Sequence, residues 1–500
     1  MYFTSYPLNI ILYNTVLKHR LRGGKKMLIS GFDLSLLIIY FLLVLWIGYY
    51  TMKKVSTFND YSVAGRTMPF ALIFATIGAT LAGGGATVGR VSFVYDIGIV
   101  VFLALLGVVI SQVLIGFFIA PRIRQMENVH TIGDIMEFYF GRSGQLISSI
   151  FSFLFMIGIF GVQVLALGRI LEPIVGLPFL TLTIIGAVVT IAYTWAGGML
   201  AVVYTDAIQF ILLVGGIATA TVIGVTKMGG MTQIIDQVAS IDPDHLVLFG
   251  GPWTIGVFIS MFLSFLLGEA LAPHYIQRYA ASKSSNITKW STISFAIMYI
   301  FLTIVIMVIG LIGFVVFPEM EGDMVFVNFV MEYLPIGVIG LVFGALIAAV
   351  MSTGSSILNT AAVIFTKDIY RVLINKNASD KQMLKWTQYV TLIVGFGGVI
   401  VSLFIPNVMD LMLYAFQLWA PSILPPMTIA LLWGGPLERK VSQYAGAPAI
   451  VSGLIITIVW LDFLGEPFGI PAIIVGILTN LIVFGIVHKV TAKKISKPII

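Results

Sequence analysis

Apolar runs of about twenty residues, separated by short polar stretches, set the pattern of this chain. The first convincing run is Leu34 to Met52, closed by Lys53 and Lys54. Twelve more follow, at roughly 69–90, 97–120, 144–168, 177–196, 199–226, 253–277, 290–317, 336–366, 385–405, 408–434, 443–462 and 470–488. At 1.5 Å per residue, each is long enough to cross a hydrocarbon core of about 30 Å as a helix. Thirteen spans place the two termini on opposite sides of the bilayer. Residues 1–26 fit less well, because the apolar run from Tyr6 to Leu17 is too short to span and a basic cluster follows it.

Two of the runs are interrupted. The second contains Gly78-Ala-Thr-Leu-Ala-Gly-Gly-Gly-Ala-Thr-Val-Gly89, too glycine-rich to remain a comfortable uninterrupted helix. The seventh contains Gly268-Glu-Ala-Leu-Ala-Pro-His274. Interrupted spans at corresponding positions of two halves point to a transporter built from inverted repeats, with its site between them. The breaks lie five spans apart, and an odd number of spans inverts the second copy. The expected organisation is therefore an extension at 1–32, a peripheral first helix at 33–54 and repeats at 69–226 and 253–434. Two further peripheral helices at 443–488 and a basic tail at 489–500 complete it. Glycines for packing and a proline kink are the simpler reading of the same residues.

Composition agrees with an all-α polytopic membrane protein. Hydrophobic residues make up 59% of the chain and charged residues only 10%, against about 25% charged in a soluble domain. The chain has no cysteine, so a disulfide framework and thiolate metal sites are excluded. The net charge of +6 sits in short loops between apolar runs and reports orientation rather than nucleic-acid binding. Loops on the Lys53 side hold Arg66, Arg122, Arg124, Arg278, Lys283, Lys367, Arg371, Arg439, Lys440 and the lysine-rich tail. Those on the other side hold Arg90, Arg169 and Lys227 beside several acids. The expectation is a plasma-membrane protein with its amino terminus outside and its carboxyl terminus inside. That orientation puts Lys18, Arg20, Arg22, Lys25 and Lys26 outside, which suggests a translation start at Met27 or a genuine extracellular extension.

Polar residues inside the apolar runs carry the candidate chemistry. The ninth run, GALIAAVMSTGSSILNTAAVIFTKDIYR from Gly344 to Arg371, holds the hydroxyls of Ser352, Thr353, Ser355 and Ser356. Ser352 and Ser356 share a helix face with Ala349, at spacings of three and four residues. The cluster is either a close-packing face or an oxygen site for a hard cation. An acid within the bilayer costs about 2.5–3.5 kcal/mol on insertion scales, so each one needs a reason. Asp206, with Gln209 three residues on, is a helix cap or a cation ligand. Glu269 pairs with an amine-bearing solute, relays a proton or caps the broken backbone. His274 reads as structural. Gln417 could bond a solute with Phe416 and Trp419 closing over it, although an aromatic stripe in a membrane helix is more often packing. A channel would need a polar pore or a filter ring, and an intramembrane enzyme would need clustered histidines and acids. Neither pattern is present: His19, His130, His245, His274 and His488 are scattered singly.

GGMLAVVYTDAIQ around Asp206, PHYIQRYAASKS from Pro273, and AAVMST leading to TKDIYR together resemble the sodium:solute symporter family. The likeness runs from Gly65-Arg66 to about Arg439. It implies a leucine-transporter-like core of two five-helix inverted repeats within thirteen helices. It also implies a sodium ion held by the carbonyls of Ala79, Ala82 and Ala349 with the hydroxyls of Ser352 and Thr353. A second sodium, present in some members, would map onto Asp206, Ser352, Ser355 and Ser356; all four are present, so the resemblance favours two ions. Departures bear on the solute. Leu81 stands where the resemblance implies an acid in the family's proline permeases, and Ala86 and Leu105 are apolar where it implies sugar-binding groups in the sugar transporters. Gln417 aligns with a sugar-contacting glutamine, Pro273-His274 is closer to the proline permeases, and Glu269 falls where the resemblance implies a solute-facing residue in those permeases. The expectation is a non-enzymatic symporter with one or two sodium ions, acting as a monomer on an amino-acid-like or amine-containing solute. The alternatives are proton coupling on the same fold, or a carboxylate or sugar solute.

Overall fold

The computed structural model describes residues 29–249, 255–404, 408–436 and 438–492. The expectations for residues 1–28, including the start at Met27, and for most of the basic tail lie outside the described residues. Seventeen helices are enough to describe the path: α1 Gly31–Met52, α2 Phe70–Leu81, α3 Gly84–Ile97, α4 Val100–Phe118, α5 Ile132–Val175, α6 Phe179–Lys227, α7 Met231–Ile241, α8 Ile255–Gly268, α9 Pro273–Ala281, α10 Ser285–Val316, α11 Gly322–Tyr333, α12 Val338–Ile364, α13 Asp380–Ser402, α14 Val408–Ser422, α15 Leu424–Gly434, α16 Gly446–Ile458 and α17 Ala472–Thr491. Among the described residues no strand forms beyond an isolated bridge between Met68 and Ser282.

Among the described residues, ten helical stretches are long and apolar enough to cross a membrane, or up to twelve when each bent pair counts as one span. The difference from the expected thirteen lies chiefly in α6, where two expected spans join in one 49-residue helix. Gly198 interrupts it at φ 53°, ψ −145°, a backbone conformation open to glycine. The expected span at 144–168 is likewise part of a longer helix, α5, capped at its start by a reciprocal Thr131–Asp134 box.

The helix that carries the hydroxyl cluster lies at the centre. Every residue of α12 from Val342 to Ile364 is buried, while α1 and α17 present Trp46, Leu42, Ile482 and Ile486 outward. Outward apolar side chains suit a lipid surface, and small residues let α12 pack tightly against α5 and α6. α1 reaches inward at two points. The Asp33 carboxylate accepts from the backbone N–H groups of Gly337 and Gly340, at 2.8 and 2.7 Å, so an acid caps the start of α12. Tyr40 accepts from Gln209 Nε2 at 2.7 Å.

Three arginines expected in loops are instead buried within helices: Arg90 in α3, Arg169 in α5 and Arg278 in α9. Each is paired with an acid, which is why the protein interior tolerates it.

On α11, which belongs to no span, Asp323 is buried and accepts from Val408 N–H at 3.1 Å. Burial pushes its carboxyl up to about 6. A raised carboxyl binds more protons in the fold than in the unfolded chain, so this contribution is present at low pH and is lost as pH rises from about 4 to about 6. Asp323→Asn is expected to abolish that loss, giving a melting temperature higher than wild type at pH 7 and equal to it at pH 4. A gap independent of pH would contradict the assignment.

Candidate functional site

The first interruption falls where glycines remove side-chain packing. α2 ends at Leu81, Ala82 leaves the helix at φ −101°, ψ 27°, and α3 restarts at Gly84. The Ser352 hydroxyl donates to Ala79 O and to Ala349 O, both at 2.9 Å. The Thr353 hydroxyl donates to Thr80 O at 2.8 Å and to Ala349 O at 3.3 Å. A Cβ on Gly83 would fall 2.2 Å from Thr353 Oγ1, so the close approach of the break to α12 requires glycine there. Ala79, Ala349, Ser352 and Thr353 thus converge, joined by Thr80 O, and Ala82 is the residue at which the broken helix ends. Each hydroxyl can turn its hydrogen aside and present a lone pair. The set then offers oxygen alone, from two helices, as a sodium ion prefers.

Of the expected second-site residues, Ser355 and Ser356 lie one turn further along α12 and Asp206 lies on α6, and they are bonded differently. Arg278 Nη2 lies 3.0 Å from Asp206 Oδ2 and also donates to the Ser356 hydroxyl. Both partners of the ion pair are fully buried. Thr76 donates to the same Asp206 oxygen, and Arg278 Nε donates to Thr76 Oγ1 at 3.0 Å. Ser355 and Ser356 donate to Ser352 O, at 3.0 and 2.7 Å. Of the side chains in this network, Asp206 leaves one oxygen, Oδ1, without a partner. A guanidinium therefore stands beside this acid. The sequence reading missed Arg278 as a partner because it counted as a loop charge. The available signal was a second charge, in QRY, four residues after His274 on the same helix.

The second interruption supplies the rest of the site. Glu269 and Ala270 lie between α8 and α9, and Pro273 opens α9 at a position that needs no N–H donor. Ala270 O, left without a helical partner, accepts from Trp419 Nε1 at 3.1 Å, and the Trp419 ring stacks on Phe155 at 4.7 Å. Trp419 thereby caps the break. A cavity of about 30 Å³ lies between the two breaks, lined by Thr80, Gln163, Glu269, Tyr275, Thr353 and Phe416 among others. It brings together Glu269, Phe416 and a hydroxyl of the oxygen set, and leaves Pro273, Gln417 and Trp419 outside its lining. Space of that size holds about two waters, so a solute needs the side chains around it to move.

Broken helices that frame a buried, oxygen-lined site beside a continuous helix define a secondary transporter. The profile of the sodium:solute symporter family matches residues 61–438, and the chain belongs to that family. Its members are transporters, not enzymes. The osmoregulated proline transporter of Bacillus subtilis is 26% identical over 474 residues, covering 91% of this chain and 94% of the relative. The sodium/glucose cotransporter of Vibrio parahaemolyticus is 26% identical, covering 81% of each chain. Among solved structures, the substrate-bound outward-open state of a sodium-coupled sialic acid symporter matches with a TM-score of 0.80 at 22% identity, covering 94% of this chain and 99% of that one. A nucleobase-cation-symport-1 family transporter in a closed conformation matches at 0.55 and 14% identity, covering 86% and 95%. The fold is that of these two transporters.

Proposed function

We propose that the protein imports a small polar organic solute, amino-acid-like or amine-containing, together with sodium by alternating access across the plasma membrane. The observation that carries this reading is the Ser352 hydroxyl, which ties Ala79 O of the broken helix to Ala349 O of α12 at 2.9 Å each. A sodium ion at Ala79, Ala82, Ala349, Ser352 and Thr353 would hold the broken α2–α3 span against α12. Thr353 also lines the cavity, so the ion and the solute share one wall. Sodium that binds the outward form more tightly than the inward form then biases the cycle toward uptake.

One ion per cycle is the stoichiometry we favour, because Arg278 already neutralises Asp206 where a second sodium would bind with Ser352, Ser355 and Ser356. One sodium crossing 100 mV contributes about 2.3 kcal/mol, and a tenfold gradient about 1.4 more. Together they sustain a solute gradient of roughly a few hundredfold.

The topology proposed is thirteen spans, with α6 read as two that meet at Gly198, and inverted repeats at 69–226 and 253–434. With the three buried arginines set aside, the loop charges still favour Lys53 on the cytoplasmic side, an outer amino terminus and an inner carboxyl terminus. One chain contains the whole site, which supports function as a monomer. The test is uptake of labelled proline and other zwitterions into proteoliposomes at fixed pH, with external sodium replaced by choline or potassium. Uptake is expected to collapse to background; equal accumulation without sodium, or accumulation that follows a proton gradient instead, would overturn the reading.

A further inference from the structure

Glu269 lines the cavity and does not stand alone. Arg90 Nη2 lies 3.7 Å from Glu269 Oε1, with the two side chains only 1% and 13% exposed. Arg90 is not itself part of the cavity lining, so it stands behind the acid. At 3.7 Å the charges attract but do not form a hydrogen bond. Arg90 Nε, Arg90 Nη2 and Glu269 Oε2 have no hydrogen-bond partner. The guanidinium rests instead over the rings of Phe265 and Tyr299, 5.7 and 5.1 Å from their centroids. A pair serving only to staple α3 to the broken span would be expected to close to hydrogen-bond length, because unpaired buried donors and acceptors are costly. This pair keeps polar valences free next to a cavity, and its charges sum to zero.

We infer that Arg90 is a specificity-determining residue: by neutralising Glu269 from behind, it fits the cavity to a zwitterionic solute and against solutes of net positive or net negative charge. The inference rests on the reading of this cavity as the solute site. Glu269 alone would make a wall that collects cations. With Arg90 in place the wall is polarised yet neutral, and a solute carrying both signs meets it best. Arg90 acts through Glu269, so its signature is a change in charge preference rather than a general loss of binding.

The test uses one ring in three charge states: proline, prolinamide as its net cation and N-acetylproline as its net anion, with glycine betaine as a second zwitterion. Sodium-dependent thermal stabilisation of the purified full chain is measured for wild type, E269Q, R90Q, R90K and R90Q/E269Q. Wild type is expected to bind a zwitterion at least tenfold better than either charged probe. R90Q shifts the preference toward prolinamide, E269Q shifts it toward N-acetylproline, and R90K retains the wild-type order. The double variant, which carries no lone charge, returns to the zwitterion with weaker binding. Should R90Q not fold, E269Q and the double variant still distinguish the outcomes. A preference unchanged across the variants, a wild type that favours a charged probe, or one that responds to no probe would overturn the inference. A charge preference that the variants leave unchanged, with sodium dependence intact, rejects this role alone, whereas sodium-independent uptake rejects the transport reading.

Discussion

Ser352→Ala is expected to raise the sodium concentration for half-maximal uptake by about ten- to a hundredfold, the effect of removing one hydrogen-bonding group from a charged partner. Its hydroxyl lies within 2.9 Å of two carbonyls contributed by different helices. Thr353→Ala should act in the same direction, since Thr353 reaches Thr80 O and Ala349 O from one turn of α12. The informative control is Ser355→Ala. Ser355 donates to Ser352 O within its own helix, at 3.0 Å, and its other polar neighbour is the Tyr193 hydroxyl, so it should leave sodium dependence within about twofold of wild type. A simple packing face makes the opposite demand, because all three residues are buried small side chains on one helix. Equal effects at Ser352 and Ser355 would return the cluster to packing.

The second large effect is on stability. Asp206→Asn removes the anion that faces Arg278 at 3.0 Å in a fully buried pair. Breaking a buried pair from one side costs about 3–5 kcal/mol, because the remaining charge is left without compensation. The melting temperature of the purified protein should fall by at least several degrees, and Asp206→Asn/Arg278→Gln should recover most of the loss. The same variants test the stoichiometry. If Arg278 supplies the positive charge at this acid, the double variant keeps one sodium per solute; a ratio that falls from two to one on Asp206→Asn would restore the second-ion reading. Single and double variants of equal stability would contradict the pairing.

Periodicity and charge were enough to place these helices in a membrane, because long apolar runs admit few other solutions. The two breaks were legible for a similar reason. Glycines from Gly78 to Gly89, and Pro273 after an acid, disfavour continuous helix wherever they occur. Ser352 and Thr353 stood out because hydroxyls cluster on an otherwise apolar run. Their partners across space were not legible from spacing. The carbonyls of Ala79 and Thr80 belong to the backbone, which any residue carries, and only the resemblance pointed to Ala79.

The arginines show where linear reading fails. Counted along the chain, Arg90, Arg169 and Arg278 fall near span ends and look like loop charges. In the fold each lies buried against a distant acid, 179 residues away for Arg90 and Glu269, 152 for Arg169 and Glu321 and 72 for Arg278 and Asp206. A charge's cost within a bilayer depends on its partner, and partners are chosen by packing rather than by sequence separation. Trp419 tells the same story: its indole caps a carbonyl freed by a break 149 residues earlier.

By itself, then, the sequence determined a helical membrane protein, the two places where helices fail and the hydroxyl cluster of α12, since these depend on local propensity and on the cost of leaving water. The tertiary structure alone decided which oxygens meet Ser352 and Thr353, that Arg278 faces Asp206, and that Arg90 stands behind Glu269. Those outcomes turn on contacts between distant segments, where electrostatic compensation and close packing are settled together.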